Sequence, residues 1–254
     1  MLEVQNAVRL AIRLATSGSH MTSDATISTP RARFREMMRE DILSAARQII
    51  QKDGYAALSM RALADAVGVR APTLYDYFAS KEEVLNAVHM RGVETLGGEF
   101  QHVLETSAPG IERLVRIGVV YRRFGLTNPD LYQLMFARID QAYSPGEEQV
   151  ERSRALFEAL VEHVRDAIQI GELAPNDPEE IGMALWSMTH GFVSLELIRM
   201  TEKCATSSAD EQYAFLLTSI LYGMAARNDE GIPARSVSIV AASSPTDVQD
   251  GILV

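Results

Sequence analysis

A chain of 254 residues, 47% apolar and 23% charged, is long enough for one large domain or two modest ones with a genuine buried core. A single cysteine, Cys204, excludes an intramolecular disulfide framework, and no apolar run approaches the roughly 18 residues of a membrane helix, so a cytoplasmic protein is expected. The net charge of −10 argues against nucleic-acid binding when taken whole, but residues 31–81 carry nine Lys/Arg against six Asp/Glu, a basic segment on an acidic body.

Residues 1–30 read as a flexible extension. Val4, Ala7, Val8, Ala11, Ile12 and Ala15 share one helical face and are followed by a Ser/Thr-rich linker to Pro30. The run Gly18-Ser19-His20-Met21 resembles a cloning scar, which would make Met21 the natural start. Beyond it, Met38, Ile42, Ala45 and Ile49 fall at helical spacing and Gly54 supplies a stop. A second helix is expected over about 59–67, with Ser59 as N-cap and Gly68 past its end, and a third over about 72–78. Ser80-Lys81-Glu82-Glu83 is an S-x-x-E start for a long helix reaching about Leu104. Further helices are expected at about 111–126, 129–138, 147–170, 178–201 and 210–226, separated by Asn128-Pro129, Ser144-Pro145-Gly146, Gly171 and Asn176-Asp177-Pro178. No segment alternates with period two. Residues 228–254 lose apolar periodicity and read as a flexible tail. The expected fold is all-α. A three-helix head over 31–86 is joined by a long helix to a larger helical domain over 87–227.

The informative element is the pair of helices at 59–78. Leu63, Ala64, Val67, Leu74 and Phe78 form an apolar seam, Val69 plugs the corner, and Gly68 stands where a sharp turn favours positive φ. Pro72 suits the first turn of the second helix. With Leu74 and Phe78 turned inward, the outer side and entrance of a very short helix carry Arg70, Ala71, Thr73, Tyr75 and Tyr77, an arrangement suited to a major groove. Thr73 is placed for a thymine methyl or a phosphate, and Tyr75, Tyr77 and Lys81 for phosphates. Arg61 is placed for backbone or a base edge, and the Arg31-x-Arg33-x-Arg35 run reads as a flexible arm against phosphates or in the minor groove.

Ser59-Met60-Arg61-Ala62-Leu63-Ala64-Asp65-Ala66-Val67-Gly68-Val69, followed by Ala71-Pro72-Thr73-Leu74-Tyr75-Asp76-Tyr77-Phe78-Ala79-Ser80-Lys81-Glu82, resembles the signature of TetR-type regulators. The L-Y-x-x-F-x-S-K ending is its most specific part, and the resemblance covers roughly residues 38–86. It implies a homodimeric all-α repressor with a variable ligand-binding C-terminal domain, and DNA contacts from Arg33, Ser59, Arg61, Arg70, Ala71, Pro72, Thr73, Tyr75, Tyr77 and Lys81. Two positions depart from the pattern. Arg70 stands where a small capping residue is common, and Asp76 puts a negative charge on the DNA-facing helix. Asp76 either tunes operator choice or pairs with Arg70 or Lys81. Farther on, Tyr121-Arg122-Arg123-Phe124, Asn128-Pro129-Asp130-Leu131-Tyr132-Gln133-Leu134-Met135-Phe136 and Trp186-x-x-x-His190-Gly191 are similar to the regulator C-terminal class named for its W-H-G residues.

Tyr121, Phe124, Met135, Phe136, Trp186 and His190 are the expected lining of a ligand pocket; ordinary core packing is the competing reading for each, and for His190 in particular. Leu185, Phe192 and Leu195, with Leu217, Ile220 and Leu221, are expected to bury an excess apolar face in a homodimer, the alternative being burial within one protomer. The five histidines form no close pair, and no metal site, cofactor fingerprint or catalytic motif is evident, so an enzyme is not expected. The function expected is a regulator bound to a palindromic double-stranded DNA operator and released by a small apolar effector. The alternative is an architectural or cell-division DNA-binding protein that recruits a protein partner.

Overall fold

A computed structural model describes residues 29–136, 143–204 and 207–226. The amphipathic extension expected before residue 29 and the tail expected over 228–254 lie outside the described residues. The described chain is helical: α1 (Pro30–Asp53), a 3-10 turn (Tyr55–Ala57), α2 (Met60–Val67), α3 (Ala71–Tyr75), α4 (Lys81–Thr106), α5 (Ile111–Thr127), α6 (Pro129–Phe136), α7 (Glu147–Gln169), α8 (Pro178–Leu197), α9 (Met200–Cys204) and α10 (Ala209–Met224).

Local chemistry accounts for most of these boundaries. Ser59 caps α2 by accepting from the Ala62 amide at 3.1 Å, and Gly68 ends it with φ +77°, its own amide returning to the Ala64 carbonyl. Ser80 accepts from the Glu83 amide at 3.2 Å while the Glu83 carboxylate accepts from the Ala79 amide, one residue earlier than the usual reciprocal box. α10 begins with the complete Ser208/Glu211 box.

Three boundaries differ from expectation. α1 already starts at Pro30, ahead of the Arg31–Arg35 run, because Thr29 caps it and Pro30 occupies its first turn. The Arg31–Arg35 run expected to be a flexible arm is therefore helix. α3 stops at Tyr75 instead of Phe78. The helix expected over 178–201 breaks after Leu197, where Arg199 takes φ +57° before α9 resumes.

The chain divides into two compact units. Within the described residues, one comprises 29–97 with 128–156 and the other 98–127 with 157–226. In the first, α1 packs on α2 and α6, and α2 packs on α3. Ile42, Ala46, Leu58, Leu63, Leu74, Phe78 and Val84 are sealed from water there. Gly92 of α4 lets α6 come close: a Cβ at that position would lie 2.5 Å from the Met135 Sδ. In the second, α5, α8 and α10 pack together around Ile111, Leu114, Val164, Leu173, Ile181, Leu185, Phe192, Tyr213, Leu217 and Leu221. The α4 and α7 helices each run through a boundary between the units.

Candidate nucleic-acid interface

The candidate DNA-facing surface of the head follows from which side of α2 and α3 the core consumes. Leu63, Ala64, Leu74 and Phe78 are buried, with Val67 and Val69 half-buried at the corner, as the seam required. The side chains left outside include Arg61, Asp65, Arg70, Pro72, Thr73, Tyr75 and Asp76, all exposed, with Ala71 and Tyr77 half-buried beside them. Tyr75 keeps 53% of its surface in water, so its ring stands on the outer side of α3 and not in the seam. Arg33 is exposed in the first turns of α1.

Two of the expected contact residues already have work inside the head. The Ser59 hydroxyl is the cap of α2. Lys81 is half-buried and donates its Nζ to the Tyr55 carbonyl at 3.1 Å, tying the start of α4 to the turn after α1. Arg70 occupies the N-cap of α3 without a side-chain cap bond, so that role falls to backbone geometry alone. Asp76 participates through its carbonyl, which accepts from Arg35 Nη2 at 3.2 Å.

A hydrogen-bond network in the same unit joins α1 to the start of α6. Asp130, at the start of α6, is buried and receives Arg47 Nε at 2.7 Å, Arg47 Nη2 at 3.3 Å and Gln51 Nε2 at 2.9 Å. Tyr55 donates to the Asp130 carbonyl at 2.6 Å, and Arg47 also donates to the Asn128 side chain at 3.1 Å. Burial works against the Asp130 carboxylate, but the bonds and charge of Arg47 with the bond from Gln51 outweigh it, leaving its pKa below the ordinary carboxylate range. In the sequence Asn128-Pro129-Asp130 signals only a helix start; its partners lie some eighty positions away. A groove of about 370 Å³ runs along the same part of α1, lined by Glu40, Leu43, Ser44, Arg47, Gln48, Gln51, Val88 and Arg91.

The expected pocket residues are divided between the units. Tyr121, Trp186 and His190 come together: the indole N–H donates to the Tyr121 hydroxyl at 3.1 Å, which lies 3.1 Å from His190 Nδ1. Burial holds the His190 pKa down, so the imidazole is neutral near pH 7. Phe124 is buried in the same unit, whereas Met135 and Phe136 lie on α6 in the unit that contains the head. The chain passes from one unit to the other between Thr127 and Asn128, which is why neighbours in sequence part company.

The residues assigned to a dimer interface are also divided. Leu185, Phe192, Leu217 and Leu221 are buried in their own unit's core, which corrects their expected place at an interface. α8 and α10 are apolar on more than one face, and the chain itself covers one of them. The apolar side chains left outside on these elements are Met183, Leu195 and Ile198, and Phe215, Leu216 and Tyr222, with Ile220 half-buried. Arg122 braces the unit from α5, donating to both Glu196 oxygens and to Asp210 with its guanidinium over the Tyr213 ring. Among the described residues no cluster of three His, Cys, Asp or Glu side chains could hold a metal ion, and no helix is long and apolar enough to cross a membrane.

A helix-turn-helix whose short second helix shows its polar side to solvent is the arrangement of a DNA-binding head, as in transcriptional regulators. Comparisons with known proteins give the same class. The family model for bacterial regulatory proteins of the tetR family matches residues 42–88, and that for the tetracyclin repressor-like C-terminal domain matches residues 114–220. A helix-turn-helix transcriptional regulator of Mycobacterium tuberculosis is 26% identical over 200 residues, covering 79% of this chain and 87% of the relative. A TetR/AcrR-family regulator from Thermobifida fusca is 25% identical, with a TM-score of 0.59 over 73% of this chain and 97% of its own. A protein from Rhodococcus sp. RHA1 shares the fold with a TM-score of 0.66 at 24% identity, covering 74% of this chain and 95% of its own. The chain belongs to the TetR family of transcriptional regulators.

Proposed function

We propose that this protein is a homodimeric repressor that holds a near-palindromic operator and leaves it when a small, largely apolar molecule binds its C-terminal unit. The observation that carries this reading is the exposed face of α2 and α3: Arg61, Arg70, Thr73 and Tyr75 stand in water over a sealed apolar seam. Arg61 and Arg70 supply charge for phosphates or guanine edges, and the Thr73 methyl and hydroxyl suit a thymine or a phosphate. Arg33 lies in the same head unit, on α1, for the flanking backbone.

Pairing of two chains is supported by the uncovered apolar side chains of α8 and α10, which a second copy would bury as a four-helix bundle. Two recognition helices then read successive major grooves roughly 34–36 Å apart. The Tyr121–Trp186–His190 group gives the C-terminal unit an aromatic site with polar handles for an effector. Such a molecule releases DNA only by binding more tightly to a form of the dimer that does not fit the operator. A regulator of this kind works in the cytoplasm.

The test is selection of bound duplexes from a random pool by the purified protein at two salt concentrations. One recovered palindrome whose binding weakens steeply with salt supports the reading. Binding without a motif would favour an architectural role, and absence of binding would refute DNA recognition by this face.

A further inference from the structure

The recognition helix is only five residues long, Ala71–Tyr75, too short to persist without outside support. The amides of Asp76, Tyr77 and Phe78 return to carbonyls at Thr73 and Leu74. Just beyond the helix, the carbonyls of Asp76 and Tyr77 are met from outside by α1: Arg35 Nη2 donates to the Asp76 carbonyl at 3.2 Å and Arg39 Nη1 to the Tyr77 carbonyl at 2.8 Å. The same two guanidinium groups sit over the adjoining rings, Arg39 4.2 Å from the centroid of buried Phe78 and Arg35 5.8 Å from that of Tyr77. Arg35 and Arg39 are four residues apart and so share one face of α1. They reach this position because α1 begins at Pro30 and is long enough to pass the exit of α3.

We infer that Arg35 and Arg39 are positioning residues, which set the pose of the recognition helix by clamping its exit and do not themselves contact DNA. The inference rests on the DNA-reading role proposed above. A planar guanidinium can bond a carbonyl and stack on a ring at once, and a cation at a helix C-terminus also complements its dipole. A lysine keeps the charge but loses the stacked, forked geometry. The clamp therefore acts on specificity: with the exit loosened, Thr73 and Tyr75 lose their fixed relation to the bases, while the general attraction between head and phosphates persists.

The experiment compares the full-length wild type with Arg35→Ala, Arg39→Ala and Arg39→Lys. The probes are the motif duplex that the wild type recovers from a random pool and a shuffled duplex of equal length, across a series of KCl concentrations. Both alanine variants should bind the motif about tenfold or more weakly at every salt concentration, the effect of losing one charge-assisted bond. Binding to the shuffled duplex should stay near wild type, the salt slope should not change, and Arg39→Lys should fail to restore motif binding. A slope shallower by about 0.9, with equal losses on both duplexes and rescue by lysine, would make these residues phosphate contacts and overturn the inference. Unchanged motif binding would overturn it as well. Arg35 is exposed, so Arg35→Ala decides the matter even if Arg39→Ala does not fold. Should the wild type recover no motif, the DNA-reading role itself fails and this inference fails with it; a motif with altered slopes in the variants sinks the clamp alone.

Discussion

The Arg47 guanidinium meets the Asp130 carboxylate through two hydrogen bonds, from Nε to Oδ2 at 2.7 Å and from Nη2 to Oδ1 at 3.3 Å, and the carboxylate has 1% of its side-chain surface in water. Removing only the arginine leaves a buried charge with Gln51 as its remaining side-chain donor. Arg47→Ala is expected to cost about 2–4 kcal/mol, measured by urea unfolding, and more than Asp130→Asn. The sign of the pH dependence follows from a depressed folded pKa. The stabilisation is complete above the unfolded carboxylate value of about 3.9 and is lost as pH falls through the lower folded value. The gap between wild type and Arg47→Ala should narrow over that acid range; a gap independent of pH would show that the pair acts by packing alone.

His89 gives a second titration in a separate window. Its imidazole, 1% exposed and 2.9 Å from the Ser153 hydroxyl, has its pKa lowered to about 4 by burial, with the Leu134 backbone opposing. Between that value and the unfolded value near 6.5, the unfolded chain binds the extra proton, so stability rises with pH by roughly 3 kcal/mol in all. Melting curves from pH 4 to 7 should show this rise in wild type, and His89→Gln should flatten it. An equally steep profile in the variant would assign the effect to other groups.

Two glycines in helices should respond oppositely to alanine. At Gly118 on α5 a Cβ would lie 2.8 Å from the Tyr213 hydroxyl and 3.4 Å from Leu217 Cδ2, so Gly118→Ala should cost about 1–3 kcal/mol by forcing α10 away. At Gly98 on α4 nothing lies within 4 Å, and Gly98→Ala should stabilise by about 0.5–1 kcal/mol by removing unfolded-state entropy. Thermal unfolding of the pair checks both signs. Destabilisation at Gly98 would mean that the helix there needs glycine for a reason other than space.

The exposed and buried apolar residues of α10 separate association from folding. Phe215, 71% exposed, contributes nothing visible to its own core, so Phe215→Glu should leave a folded chain that sediments as a monomer. Leu217→Ala, at a position 3% exposed, should instead lower stability by about 2–5 kcal/mol while folded protein still associates. A dimer that survives both Phe215→Glu and Leu195→Glu would move the interface elsewhere.

Tyr75→Ala tests the reading face directly. The ring is outside the core, so melting behaviour should be unchanged, while binding to a selected operator falls by at least tenfold. A loss of stability instead would show that the exposed ring supports the head.

Local order was legible in the sequence because it is set by short-range chemistry. Ser59, Gly68, Pro72 and Ser80 mark the ends of α2, α3 and α4 through caps and backbone freedom that a neighbouring residue or two decide. The buried side of the helix-turn-helix followed from the spacing of Leu63, Ala64, Leu74 and Phe78, and the polar side was what remained. Thr29-Pro30 carries an equally plain start signal for α1, but a preceding Ser/Thr-rich stretch obscured it.

Tertiary structure alone decided the rest. Helical spacing shows that α8 and α10 are apolar on two sides, but the hydrophobic effect has no direction, so it cannot say which side the chain covers itself; packing buried Leu185, Phe192, Leu217 and Leu221 and left Leu195 and Phe215 outside. Lys81 and Arg35 read as free cations because charge in a sequence has no partner until the chain brings one near. Folding supplied the Tyr55 and Asp76 carbonyls, and with them the distinction between side chains left facing solvent and side chains bonded within the head.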